Sequence, residues 1–98
     1  MILVLGSVIV RQGRYEEALS LSLEHVARSR KEPGCVAHSV HQDAENPLRL
    51  VFAEQWSDMT VLRAHFKVPE SREFAKAIGA LASAPPEIAI YDAKRVGP

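Results

Sequence analysis

The chain has 98 residues, with 12 basic and 12 acidic ones, so its formal net charge is zero. This length suits one domain, which we expect to span residues 1–98. A neutral chain lacks the basic footprint that attracts nucleic acid or an anionic membrane surface. The one cysteine, Cys35, excludes an internal disulfide and is typical of a reducing compartment. No leader-like start is found, and no apolar run approaches the ~20 residues of a membrane helix, so we expect a soluble, cytoplasmic protein.

The first half of the chain predicts a strand, a helix and a second strand. Residues 2–10 are apolar on both faces, which is typical of a strand covered from both sides. After a turn, an apolar stripe at helical spacing predicts a helix that ends at Pro33-Gly34. The stripe consists of Tyr15, Ala18, Leu19, Leu23 and Val26. Residues 35–42 predict the second strand, and residues 43–47 predict a hairpin loop.

The second half predicts a strand, two helices and a last strand. Residues 48–56 alternate with a period of two, as a strand does. Ser57-Asp58 is an N-cap signature for a short helix that ends near residue 66. Pro69 begins the next helix, which a proline pair ends, and residues 87–94 predict the last strand.

The predicted order β-α-β-β-α-α-β indicates an α+β fold of two layers. Four antiparallel strands with helices on one face form the ferredoxin-like arrangement. The helices cover one sheet face only, yet residues 2–10 and 48–56 carry apolar side chains on both. A second copy of the chain is the simplest cover for the other face, so we expect a homodimer.

The strand over 48–56 carries an unusual carboxylate, because Glu54 shares a face with Phe52 and Trp56. Glu54 is either a pocket acid or base with a raised pKa, or the partner of an Arg or Lys at the sheet edge. Trp56 either lines a pocket with its indole N–H or belongs to the core. His65, on the inward stripe of the short helix, either transfers protons near neutral pH or is structural.

The other histidines and the cysteine predict no metal site. His38 and His41 lie three apart on a strand, so they point to opposite faces and cannot chelate one ion. His25 lies among charged helix neighbours and is expected to be solvated. Cys35 is expected to be a small buried residue without an activated thiolate.

Several motifs, taken together, resemble the antibiotic biosynthesis monooxygenase domain family, which includes the quinol monooxygenases. They are Glu32-Pro33-Gly34-Cys35, Glu54 and Trp56 as E-x-W, the Ser57-Asp58 helix start, Leu62 and His65 as L-x-x-H, and Phe74. Their order and spacing are more specific for the fold than for the reaction. The resemblance implies a dimeric α+β barrel, in which two ferredoxin-like sheets face one another, with a pocket between helices and sheet in each subunit.

The resemblance also implies a reaction and a set of site residues. Many members oxidise small phenolic or quinol substrates with O₂ and without metal, flavin or haem, since a phenolate can itself pass an electron to O₂. His65 would then accept the proton, Trp56 would position the ring, and Glu54 would orient His65 or hold the pocket open. The expected apolar lining is Phe52, Phe66 and Phe74.

Haem degradation, found in one branch of that family, is not expected. Residues 70–82 lack its axial histidine, and the first strand lacks its asparagine. Two alternatives to an oxygenase are open: a small-molecule binder that uses the same pocket, and a structural dimer module.

Overall fold

A layer of helices covers one face of an antiparallel sheet. The computed structural model describes residues 1–98. The strands are β1 (Ile2–Ile9), β2 (Cys35–Gln42), β3 (Arg49–Trp56) and β4 (Glu87–Asp92). The helices are α1 (Tyr15–Ser29), α2 (Met59–Lys67) and α3 (Pro69–Leu81). None of these helices has both the length and the apolar character needed to cross a membrane.

The sheet has the strand order β2-β3-β1-β4, and every neighbouring pair is antiparallel. This order and the β-α-β-β-α-α-β sequence of elements confirm the predicted ferredoxin-like α+β fold. The predicted hairpin joins β2 to β3, and the Asp43 N–H closes its loop by donating to the Arg49 carbonyl at 2.9 Å. A register shift between Cys35 and Ala37 marks the start of β2.

Strand β3 shows the alternation that its sequence predicts. Leu50, Phe52, Glu54 and Trp56 are all buried under the helices, while the residues between them are half-buried on the other face. That other face has no cover within one chain. On β1 it carries Leu5 and Ile9, which are 43% and 39% exposed, and on β3 it carries Val51 and Ala53.

Helix α1 buries the predicted apolar stripe except at Leu23, and it also buries three polar residues beside that stripe. Leu23 is 53% exposed, whereas Ser22, His25 and Ser29 are buried with Ala18 and Val26. The serines are tolerated there because each hydroxyl donates to a helix carbonyl one turn earlier, at 2.7 Å. The expectation of a solvated His25 was wrong, because His25 follows Ser22 by three residues on the face turned to the sheet.

The turn between α1 and β2 lies directly on helix α2. Gly34 has φ +82°, and a Cβ at this position would lie 2.6–2.8 Å from side-chain atoms of Val61. Its carbonyl accepts from the Ser57 N–H at 2.9 Å. Helix α2 then begins at the predicted cap, where the Asp58 carboxylate accepts from the Val61 N–H at 3.0 Å. This close approach brings Glu32, which lies in the turn between α1 and β2, beside α2.

Candidate active site

A cavity of about 330 Å³ lies between the helix-facing side of the sheet and helices α2 and α3. Its apolar lining comes from Val8, Phe52, Phe66, Phe74, Ile78 and Ile88. Four buried polar side chains from four different elements reach it as well: His25, Glu54, His65 and Ser71. An apolar chamber with a few convergent polar groups is the usual form of a small-molecule site.

The residues singled out in the sequence do not all contact this cavity. Phe52, Glu54, His65, Phe66 and Phe74 line it. Trp56 lies behind it, fully buried, with its ring centre 4.5 Å from that of His65. Trp56 therefore contacts the lining residues Glu54 and His65 from behind and does not itself line the cavity.

Glu54 is a buried carboxylate whose partners are neither Arg nor Lys. Its Oε1 accepts from the indole N–H of Trp56 at 2.9 Å. Nε2 of His38 lies 3.3 Å from the same oxygen, but too poorly aligned for a hydrogen bond. Burial by itself raises the pKa of Glu54, but the contacts with His38 and Trp56 outweigh it and hold the pKa below its usual value. Glu54 is thus an anion at neutral pH, and the alternative of a carboxyl with a raised pKa was wrong.

His65 is held by a carboxylate that sequence reasoning missed. Its Nδ1 lies 3.0 and 3.1 Å from the two carboxylate oxygens of Glu32. Because a carboxylate accepts hydrogen bonds, we assign the ring proton to Nδ1, which leaves Nε2 with a free lone pair. Glu54 makes no hydrogen bond with His65, and Glu32 is the carboxylate that contacts the His65 ring. The only sequence signal was the position of Glu32 at the start of the Glu-Pro-Gly-Cys turn.

His25 enters the site from α1. A terminal nitrogen of Arg28 (Nη2) donates to His25 Nδ1 at 2.9 Å and to the Ser71 hydroxyl at the same distance. The imidazole stacks on Phe74, with ring centres 4.0 Å apart and planes inclined by 6°. Burial, and then the nearby charges of His38, His65 and Arg28, lower the pKa of His25 to about 3. His25 is therefore neutral at physiological pH.

The antiparallel sheet, its single helical layer and the apolar chamber between them define an α+β protein with a small-molecule cavity. The chain belongs to the antibiotic biosynthesis monooxygenase family, whose sequence profile matches residues 1–77. This match confirms the resemblance seen in the motifs.

Individual proteins resemble this chain in sequence or in structure. An uncharacterized protein from Synechocystis sp. is 34% identical over 90 residues, which are 92% of this chain. The chain spans only 61% of the length of that relative. A crystal structure of an antibiotic biosynthesis monooxygenase superposes with a TM-score of 0.90 at 25% identity, covering 97% of this chain and 100% of the other. A conserved protein from Methanosarcina mazei Go1 has the same TM-score at 28% identity, covering 95% and 92%.

Proposed function

We propose that this protein is a monooxygenase that oxidises a small phenolic or quinol-type aromatic with O₂ and requires no cofactor for that reaction. The observation that carries the proposal is the hydrogen bond to Glu32 from His65, which lines the cavity. With Nδ1 turned to Glu32, the free nitrogen of His65 is Nε2, the atom suited to take a proton from a phenol.

The proposed reaction starts with that proton transfer. Glu32 stabilises the imidazolium that forms on His65, and the imidazolium in turn stabilises the phenolate oxygen. The phenolate passes one electron to O₂, and the resulting ring radical and superoxide combine to form a carbon–oxygen bond. Loss of water then gives a quinone: one oxygen atom enters the ring, the other leaves as water, and the ring loses two hydrogen atoms.

The cavity offers what such a reaction needs. Its volume of about 330 Å³ is at the lower end of ligand pockets, of the size that suits one or two aromatic rings. Phe52 and Phe74 meet edge to face at 5.9 Å and provide an apolar wall for a flat ring.

Oxygen consumption tests this proposal. With a panel of hydroquinones and polyphenols, the wild type should consume O₂, and His65→Gln should lower the rate about 10²–10⁴-fold, the range for loss of a general base. His41→Gln is the matched control, because His41 is an exposed histidine on β2. No uptake across the panel, or full activity in the His65 variant, would overturn the proposal. A ligand-induced rise in melting temperature without uptake would instead support the binder alternative.

We also propose that the open sheet face, formed by Leu3, Leu5, Ile9, Val51 and Ala53, is the interface of a homodimer. Apolar side chains from two adjacent strands make up this face, and the chain has no helix left to cover it. A second copy would present an identical apolar face, and the two chains, each with a formal net charge of zero, would not repel one another. Sedimentation equilibrium should show a dimer that Leu5→Glu dissociates. Leu23→Glu, at an exposed leucine on α1, should leave it intact, and a wild-type monomer would contradict the proposal.

A further inference from the structure

We propose that His25, His38 and His65 form a binding site for one transition-metal ion of the Zn²⁺ class. The three side chains come from α1, β2 and α2, and they are 6%, 2% and 3% exposed. One ring nitrogen of each lies within 4.8 Å of the corresponding atoms of the other two. The sequence could exclude a shared ion only for His38 and His41, and His41 indeed lies exposed on the other face.

The separations of the rings agree with coordination of a single ion. The ring centres of His25 and His38 are 5.3 Å apart, those of His25 and His65 5.4 Å, and those of His38 and His65 5.8 Å. Three imidazoles on a tetrahedral Zn²⁺, with Zn–N bonds of about 2.0–2.1 Å, have ring centres about 5 Å apart. Ring rotations and shifts of about 1 Å would bring the nitrogens to the coordination distance.

His38 provides the second, independent observation. Its side chain is fully buried, and neither of its ring nitrogens has a hydrogen-bond partner. Buried polar atoms without partners destabilise the fold and are rare in folded proteins. A metal bound by one of these nitrogens would remove one of the two deficits. Glu54, whose Oε1 is 3.3 Å from His38 Nε2, would place a negative charge beside the ion.

His65 is already arranged as a ligand. Histidines that bind metals usually donate their other ring N–H to a carboxylate, which fixes the tautomer and the ring orientation. Glu32 makes this contact with Nδ1 and leaves Nε2 free. Neutral imidazoles suit Zn²⁺, Co²⁺, Ni²⁺ and Cu²⁺, whereas Mg²⁺ and Ca²⁺ prefer oxygen ligands.

Arg28 opposes binding at His25. Its guanidinium donates to Nδ1, so this nitrogen carries the lone pair and Nε2 carries the proton. Whichever nitrogen binds the ion, Arg28 must release the ring, although it keeps its hydrogen bond to Ser71. The guanidinium of Arg28 is both a positive charge near the site and a hydrogen-bond donor to His25. Removing it should therefore tighten metal binding.

A titration of chelator-treated protein with Co²⁺ tests the site. We expect one Co²⁺ per chain with the strong visible absorption of tetrahedral coordination, displaced by Zn²⁺. His25→Gln and His38→Gln should each weaken binding more than about 10-fold, and Arg28→Met should tighten it several-fold. His41→Gln is the control and should bind as the wild type does. No binding, equal loss in the His41 variant, or no tightening in the Arg28 variant would overturn the proposal.

A measurement on the wild type keeps the test valid if a buried variant fails to fold. X-ray absorption of the Zn²⁺-loaded protein should show three imidazole ligands, and two or fewer would overturn the site. Bound Zn²⁺ should also lower the proposed oxygen consumption, because it occupies the lone pair of His65. The proposed metal site does not depend on the proposed oxidation. Metal binding can be measured in a protein that is inactive, and oxygen consumption can be measured in a protein that binds no metal.

Discussion

Glu32 and His65 lie 33 positions apart in the chain, yet the carboxylate accepts a hydrogen bond from His65 Nδ1 at 3.0 Å. The contact exists because the turn after α1 docks on α2, where Gly34 approaches Val61 closely enough to exclude any side chain. The orientation of the proposed base is thus set by a turn outside the cavity, since Glu32 is not among the lining residues.

Replacing Glu32 by Gln should impair the proposed base while the fold persists. The amide keeps the shape of the carboxylate but has no charge to stabilise an imidazolium. We expect kcat to fall about 10–100-fold with little change in KM, because Glu32 does not touch the cavity. The ¹⁵N shifts of His65 should report a protonated Nδ1 in the wild type and a mixture of tautomers in the variant.

Glu16→Gln, at an exposed position in the first turn of α1, is the matched control for Glu32→Gln and should leave both readouts unchanged. Wild-type kcat and wild-type ¹⁵N shifts in the Glu32 variant would show that this carboxylate does not position His65.

Replacing Gly34 by Ala should destabilise the fold strongly. A positive φ costs a non-glycine residue about 1–2 kcal/mol, and the added Cβ would overlap Val61, which costs about 1–3 kcal/mol more. Together these lower the melting temperature of a domain this small by about 10 °C or more. Calorimetry or thermal circular dichroism measures the change.

Two comparisons separate the causes of the Gly34 effect. Gly13 also has a positive φ, at +86°, but no atom lies within 4 Å of the position that a Cβ would take. Gly13→Ala should therefore show only the cost of the positive φ, without the cost of an overlap. Adding Val61→Ala to Gly34→Ala should recover part of the loss by relieving the overlap. Equal effects at Gly13 and Gly34 would refute the close approach.

Gly6 forms part of the cavity floor, where it has no side chain to occupy the space. A Cβ there would meet the Glu87 carbonyl at 3.5 Å and Phe52 Cβ at 3.8 Å, which are ordinary contacts. Gly6→Ala should therefore stabilise the strand by about 0.5–1 kcal/mol. Gly6→Leu should fill the cavity and abolish the ligand-induced rise in melting temperature. A Leu variant that still binds ligand would place the binding site elsewhere.

Cys35 should react slowly with alkylating reagents. It lies half-buried at the start of β2, and burial, followed by the charges of Glu32 and Glu54, raises its pKa above that of a free thiol. Since the thiolate is the reacting species, iodoacetamide labelling at pH 7.5 should be slower than for a free thiol and should accelerate as the pH rises above 9. The urea-unfolded chain is the control, and equal rates in both states would contradict the shift.

Local sequence patterns determined where the strands and helices of this protein lie and which side chains share a face. The period-two alternation of residues 48–56 correctly placed Phe52, Glu54 and Trp56 on one face, and Ser57-Asp58 correctly marked the start of α2. These features follow from backbone geometry over a few residues, which a linear sequence records directly.

Only the tertiary structure decided which side chains meet. The pairing of Glu32 with His65, the burial of His25 and the convergence of three histidines depend on how α1 and α2 rest on the sheet. No periodicity encodes such contacts, because each joins residues from different elements at a distance fixed by packing. The sequence therefore identified His65 as a candidate base, and the packing of a distant turn determined which carboxylate orients it.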